Sequence, residues 1–295
     1  MKQLKWLAAA AVIAGAAAYF LTLPQRIDPS SLSGLKPDIA AGAQVFAAGG
    51  CASCHAAPDA TRTTRLQLAG GQAFASPFGT FYAPNISPDP IHGIGTWQAI
   101  DLANAMKNGT SPDRQHYFPV FPYTSYSRAS LQDIVSLHAY LQSLPAVSSA
   151  NRPHDVGFPF NVRASLGGWK LLFMRSSWVL KTVDTPEIER GRYLVEALSH
   201  CSECHTPRNI LGGLKTSKWL TGAPNPTGRG TVPNITPAKL TWSDADLLNY
   251  FKTGFTPDFD TAGGLMSEVI ENLSQLPDSD LAAIIAYLRA VPAIK

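Results

Sequence analysis

The chain is poor in charge and poor in cysteine. Asp, Glu, Lys and Arg make up only 15% of its 295 residues, and 24 basic against 21 acidic residues leave a net charge of +3. No long basic run accompanies that balance, which excludes a nucleic-acid surface and leaves an ordinary solvated exterior. The pattern for β-sheet is sparse, because 23 Gly and 23 Pro break the chain into turns. No βαβ alternation surrounds the cysteines, which argues against a thioredoxin-like dithiol. Cysteine is absent from the N-terminal segment, which excludes a lipid anchor there.

Only one long apolar run is present. In "MKQLKWLAAAAVIAGAAAYFLTLP", Lys2 and Lys5 precede 18 residues from Trp6 to Leu23 without a charge. Charge followed by an apolar run reads as an export signal, and the length is near the lower limit for spanning a bilayer. Residues 1–24 are therefore expected to be an uncleaved anchor. Ala16 and Ala18 offer a small-residue cleavage site, so removal as a signal peptide is the alternative. Lysines on the short side would keep that end in the cytoplasm and place the rest in a bacterial periplasm.

The four cysteines all fall in two pentads, "CASCH" (Cys51–His55) and "CSECH" (Cys201–His205). C-x-x-C-H reads as covalent attachment of haem c. The two thiols take the vinyl groups, and the following histidine is carried under the iron. A zinc site made from two cysteine pairs would not require a histidine after each. Two haem c groups are thus expected, held by Cys51, Cys54 and His55 and by Cys201, Cys204 and His205.

The pentads lie in a long internal repeat. "GTFYAPNISP" (Gly79–Pro88) returns as "GTVPNITP" (Gly230–Pro237), and "TWQAIDLANAMKNGTSPD" as "TWSDADLLNYFKTGFTPD". Apolar residues at helical spacing close each copy: Ile134, Leu137, Leu141 and Leu144, then Leu281, Ile284, Ile285 and Leu288. Thr96 and Thr241 are the expected N-caps of the preceding helices. The fold class expected is all-α: two tandem cytochrome c-like haem domains, residues 36–147 and 186–295. Residues 148–185 form a linker that contains a short apolar helix, which packs between the domains or serves as a docking surface.

A low-spin haem needs a second axial ligand, commonly Met or His. Met266 follows "TAGG", where the backbone can pass close to a haem, and is assigned to the second iron. In the first copy the matching residue is Phe121, in "RQHYFPVFPY" (Arg114–Tyr123), and phenylalanine cannot ligate iron. His116, in the same loop, is the expected replacement. Met106, His92 and an open or water-bound iron are the alternatives. His138, His154 and His200 read as structural or surface residues.

The pattern "GxYLVEALSHCSECHTPRN…LTG…VPNITP…W…DL…TGxTPDFD…GGxM" resembles the dihaem and trihaem cytochrome c subunits of membrane-bound bacterial dehydrogenases, over about residues 40–292. In that family a Met in a segment like "YPAMPY" ligates the haem of the matching domain; here the segment is "FPVFPY". The resemblance implies Met266 as the second ligand of the later haem. It also implies a periplasmic dehydrogenase subunit as electron donor, and quinone, another cytochrome or an oxidase as acceptor.

The expected function is electron transfer from that donor to the respiratory chain, on the periplasmic side of the inner membrane, or in the soluble periplasm if the signal is cleaved. Catalysis in its own right, as a dihaem peroxidase or a thiosulfate-oxidising cytochrome, is the alternative. It would need an open first haem.

Overall fold

The computed structural model describes residues 2–225, 228 and 230–295, without the side chains of Lys2, Ala8 and Ala11. The first residue of the expected anchor, Met1, and the Lys2 side chain lie outside the described residues. The chain is mostly helical, in line with the all-α expectation. Sheet is confined to two short antiparallel hairpins: β1 (Ala73–Ser76) with β2 (Gly79–Tyr82), and β3 (Ala223–Pro224) with β4 (Thr231–Val232).

Helix α1 (Lys2–Leu21) stands away from the rest, with its apolar side chains exposed. Among the described residues it is the one helix long and apolar enough to cross a membrane, over Gln3–Leu21. The chain then runs into α2 (Ile39–Ala48), α3 (Cys51–His55), α4 (Ala99–Asn108), α5 (Tyr123–Tyr126) and α6 (Leu131–Gln142). A bridging helix, α7 (Ser165–Phe173), follows. The same series then returns as α8 (Pro186–Tyr193), α9 (Ser202–His205), α10 (Asp244–Thr253), α11 (Leu265–Leu273) and α12 (Asp278–Ala290).

In each copy the first and last helices cross at a glycine. A Cβ at Gly42 would fall 2.1 Å from the Ser136 carbonyl oxygen, and one at Gly191 would fall 1.9 Å from that of Ala283. Only glycine permits these backbones to approach so closely. The apolar residues expected on the closing helices are buried: Ile134, Leu137 and Leu141 on α6, and Leu281, Ile284, Ile285 and Leu288 on α12. Together with Val45, Phe46, Leu194 and Leu198 they form one apolar core that runs through both copies.

Two local expectations are corrected. The N-caps are Gln98 and Ser243, two residues beyond Thr96 and Thr241. Asp101 and Asp246 each accept the N-cap backbone N–H, at 3.0 and 3.1 Å, and this reciprocal capping fixes where the helix starts. Leu144 lies past the end of α6, which stops at Gln142.

Candidate functional site: two haem-attachment pentads

Each pentad folds as a short helical turn, α3 and the segment Cys201–His205 ending α9, in which the histidine emerges beside its cysteines. None of the four cysteines is in a disulfide. Burial pushes the Cys51 and Cys201 thiols up to about 12, so they are neutral thiols. Among the described residues no group of three or more His, Cys, Asp and Glu side chains forms a metal cluster.

The histidines are set alike. His55 Nδ1 is 2.8 Å from the Pro84 carbonyl oxygen, and His205 Nδ1 is 2.8 Å from that of Pro233. A carbonyl only accepts, so Nδ1 carries the proton and Nε2 keeps its lone pair. Burial lowers the affinity of both rings for a second proton. Each pentad therefore offers two thiols and a neutral imidazole whose free nitrogen is oriented by its partner. This is the donor set that a covalently attached haem iron takes. Beside these segments the hydroxyls of Tyr123 and Ser202 are buried without a protein partner.

The repeated "PNI" explains how the prolines are held. Asn85 Nδ2 donates to the carbonyls of Val147 (2.7 Å) and Ser149 (3.0 Å), beyond α6. Asn234 Nδ2 donates to Ile294, beyond α12, at 2.8 Å. Each Asn side chain also accepts a backbone N–H two residues on, from Ser87 or Thr236, at 2.8 Å. These prolines and asparagines are additions to the expected site. Their signal in the sequence is the doubled "PNI" itself.

The loops that follow α4 and α10 keep the same register. The C-caps Gly109 and Gly254 are both left-handed, as are Arg114 and Phe259 five residues further on. Thr110 bridges to His116, and Phe255 to Thr261. Met266 lies in the first turn of α11, partly buried against the core, and Phe121 packs against the same core in the first copy.

His116 points elsewhere. Its Nε2 is 2.9 Å from the Thr22 carbonyl, just past α1, and its Nδ1 is 3.0 Å from Lys170 Nζ on α7. Both ring nitrogens are engaged, which removes the basis for expecting His116 at the first iron. The other non-pentad histidines also have partners. His92 lies near Asp89 (3.6 Å), and His138 Nε2 meets the Trp97 carbonyl (2.9 Å). His154 Nδ1 accepts the Tyr82 N–H, and His200 Nε2 meets the Gly49 carbonyl.

The two pentads face each other's copies. Asn272 on α11 donates to Ser53 of the first pentad at 2.6 Å. Thr124 on α5 donates to Glu203 of the second at 3.2 Å. Arg65 pairs with Glu268 (3.0 Å) and Glu271 across the same seam. Burial, and then the neighbouring Cys204 of the other copy, push the Cys54 thiol up to about 11.

Residues 39–145 match the cytochrome c family model. Over 284 residues the chain is 57% identical to a diheme cytochrome c-type protein of Cereibacter sphaeroides, covering 96% of each. It belongs to the dihaem c-type cytochromes. Two covalently bound haem c groups are accordingly its cofactors. The chain is also 38% identical to the fructose dehydrogenase cytochrome subunit of Gluconobacter japonicus, covering 91% of this chain and 56% of that one. The cytochrome c subunit of a quinone alcohol dehydrogenase of Gluconobacter oxydans is 32% identical, over 83% of this chain and 52% of its own length. This dihaem cytochrome thus spans about half the length of the dehydrogenase cytochrome subunits that it matches.

Proposed function

We propose that this dihaem cytochrome carries electrons singly from a dehydrogenase to the respiratory chain, with one haem in each copy. The haems supply one-electron redox chemistry. The chain supplies the rest. Cys51, Cys54, Cys201 and Cys204 fix the groups covalently, and His55 and His205 ligate the irons. Pro84 and Pro233 hold those rings in the ligating tautomer, and Met266 completes the second iron.

The observation that carries this reading is the pair of oriented, neutral imidazoles in pentads that meet at one seam. That placement favours exchange between the two groups within one chain. Similarity to dehydrogenase cytochrome subunits supports a dehydrogenase as donor; quinone, a further cytochrome or an oxidase is the acceptor class. In this reading α1 anchors the chain on the periplasmic face of the inner membrane, and the chain is no catalyst itself.

The test is to capture the full chain from solubilised membranes, identify any large subunit that accompanies it, and add that subunit's substrate. Reduction of both haems within the time of turnover is expected. Haems that stay oxidised while the attached subunit turns over with an artificial acceptor would contradict the proposal.

A further inference from the structure

The shared register of the loops after α4 and α10 relates Phe121 to Met266, and the same separation of 145 residues relates Met106 to Phe251. Each copy thus holds one methionine and one phenylalanine at these two positions, exchanged. In the second copy Phe251 is buried on the helix and Met266 follows in the loop. In the first copy Met106 is buried on the helix and Phe121 follows in the loop.

The two positions lie on segments that pack together: α4 carries Met106, and α5, which packs on it, follows Phe121. Gly109, one turn past Met106, caps α4 so close to α5 that a Cβ there would lie 2.5 Å from the Tyr123 ring. The Phe121 ring packs against Tyr117, Tyr123 and Tyr126, with centroids 5.9, 6.4 and 5.7 Å away. Tyr117 in turn donates its N–H to the Gly109 carbonyl at 2.7 Å, as Ala262 does to Gly254 at 2.8 Å. Met106 is 4% exposed and lies in the last turn of α4. Phe121 therefore takes, as a packed ring, the register position that Met266 takes in the other copy. The soft sulfur has moved onto the adjoining helix.

We infer that Met106 is the sixth ligand of the first haem, delivered from α4 instead of from the loop. This rests on the dihaem reading above. A thioether is a soft donor that suits haem iron, and a phenyl ring is no donor. The other described methionines lie elsewhere: Met266 is in the second copy, and Met174 sits at the end of α7 in the linker.

The experiment uses the full chain with both haems attached. Covalent haem is counted by pyridine haemochrome, and the ferric methionine–iron charge-transfer band in the near infrared is measured. Two haems and a band amplitude for two Met-ligated irons are expected. Met106→Ala should halve the band and turn one haem high-spin and open to cyanide. Met266→Ala should remove the other half. Adding Phe121→Met to Met106→Ala should restore a low-spin first haem, which a merely structural role for Met106 would not produce. A wild-type band worth one haem, or a band untouched by Met106→Ala, overturns the assignment while two haems are still counted. A count of one haem overturns the dihaem reading instead, and this assignment with it. If Met106→Ala does not fold, the wild-type amplitude still separates two thioether-ligated irons from one.

Discussion

At the residue scale, the most informative side chain outside the pentads is His116. Burial, and then the Lys170 ammonium, hold it below its ordinary 6.5. A histidine whose folded pKa lies below its unfolded value binds fewer protons folded than unfolded. Stability is then complete above about 6.5 and is lost as the pH falls through the folded value. Thermal unfolding of the full chain should show a fall in Tm on acidification below about pH 6.5, and His116→Gln should flatten that part of the profile. Lys170 acts in the same direction at higher pH. Burial lowers it to about 7, so the folded state sheds its proton before the unfolded state does, and stability rises as the pH climbs above 7. Lys170→Met should remove that rise. Glu196 informs through its hydrogen bonds instead. It is fully buried and accepts from the Val179 and Leu180 N–H groups at 2.6 and 3.0 Å and from the Tyr287 hydroxyl at 2.8 Å. Arg128 lies 3.9 Å away. Glu196→Ala strands these donors and a buried cation, and should cost about 3–5 kcal/mol in chemical denaturation.

At the scale of elements, the loops whose proline carbonyls meet His55 and His205 are held by Asn85 and Asn234. Asn234→Ala removes the acceptor of the Thr236 N–H and one of the two side-chain donors to the Ile294 carbonyl, at a cost of about 1–3 kcal/mol. The second haem's spectrum should respond more than the first, because only its proline loop loosens. Much of this level is legible in the sequence. The pentads name their own chemistry, and the helical spacing on α6 and α12 marks the faces that are buried. The register of the repeat is also readable, because the same glycines and helix ends recur. The helix starts differ from the expected positions by two residues because a threonine before a tryptophan competes with the reciprocal Asp cap that follows. His116 differs for another reason. Its partners, Thr22 and Lys170, lie 94 and 54 residues away in sequence, and no local pattern announces a contact of that range. The exchange of Met106 with Phe121 shows in the sequence as two separate oddities. Only the packing of α4 on α5 makes it one arrangement.

At the scale of the whole molecule, the seam between the copies joins the two pentads. Arg65, bonded to Ser53 at 3.3 Å as well as to Glu268 and Glu271, ties the first pentad to α11. Arg65→Ala should loosen the seam without removing either haem. The expected result is slower equilibration between the haems after flash reduction, with the haem count unchanged. Among the described residues helix α1 contributes none to the core, and its exposed apolar surface is consistent with the anchor proposed for it. Membranes washed in carbonate should retain the full chain and release a chain that begins after Leu23.

The central claim is two covalent haems, one per pentad, and intact-protein mass spectrometry of the denatured, purified chain tests it most directly. The account predicts a mass equal to the polypeptide plus two haems, falling by one haem in Cys51→Ala/Cys54→Ala and by one in Cys201→Ala/Cys204→Ala. A wild-type mass with one haem or none, or loss of both haems from either double variant in a chain that still folds, would contradict it.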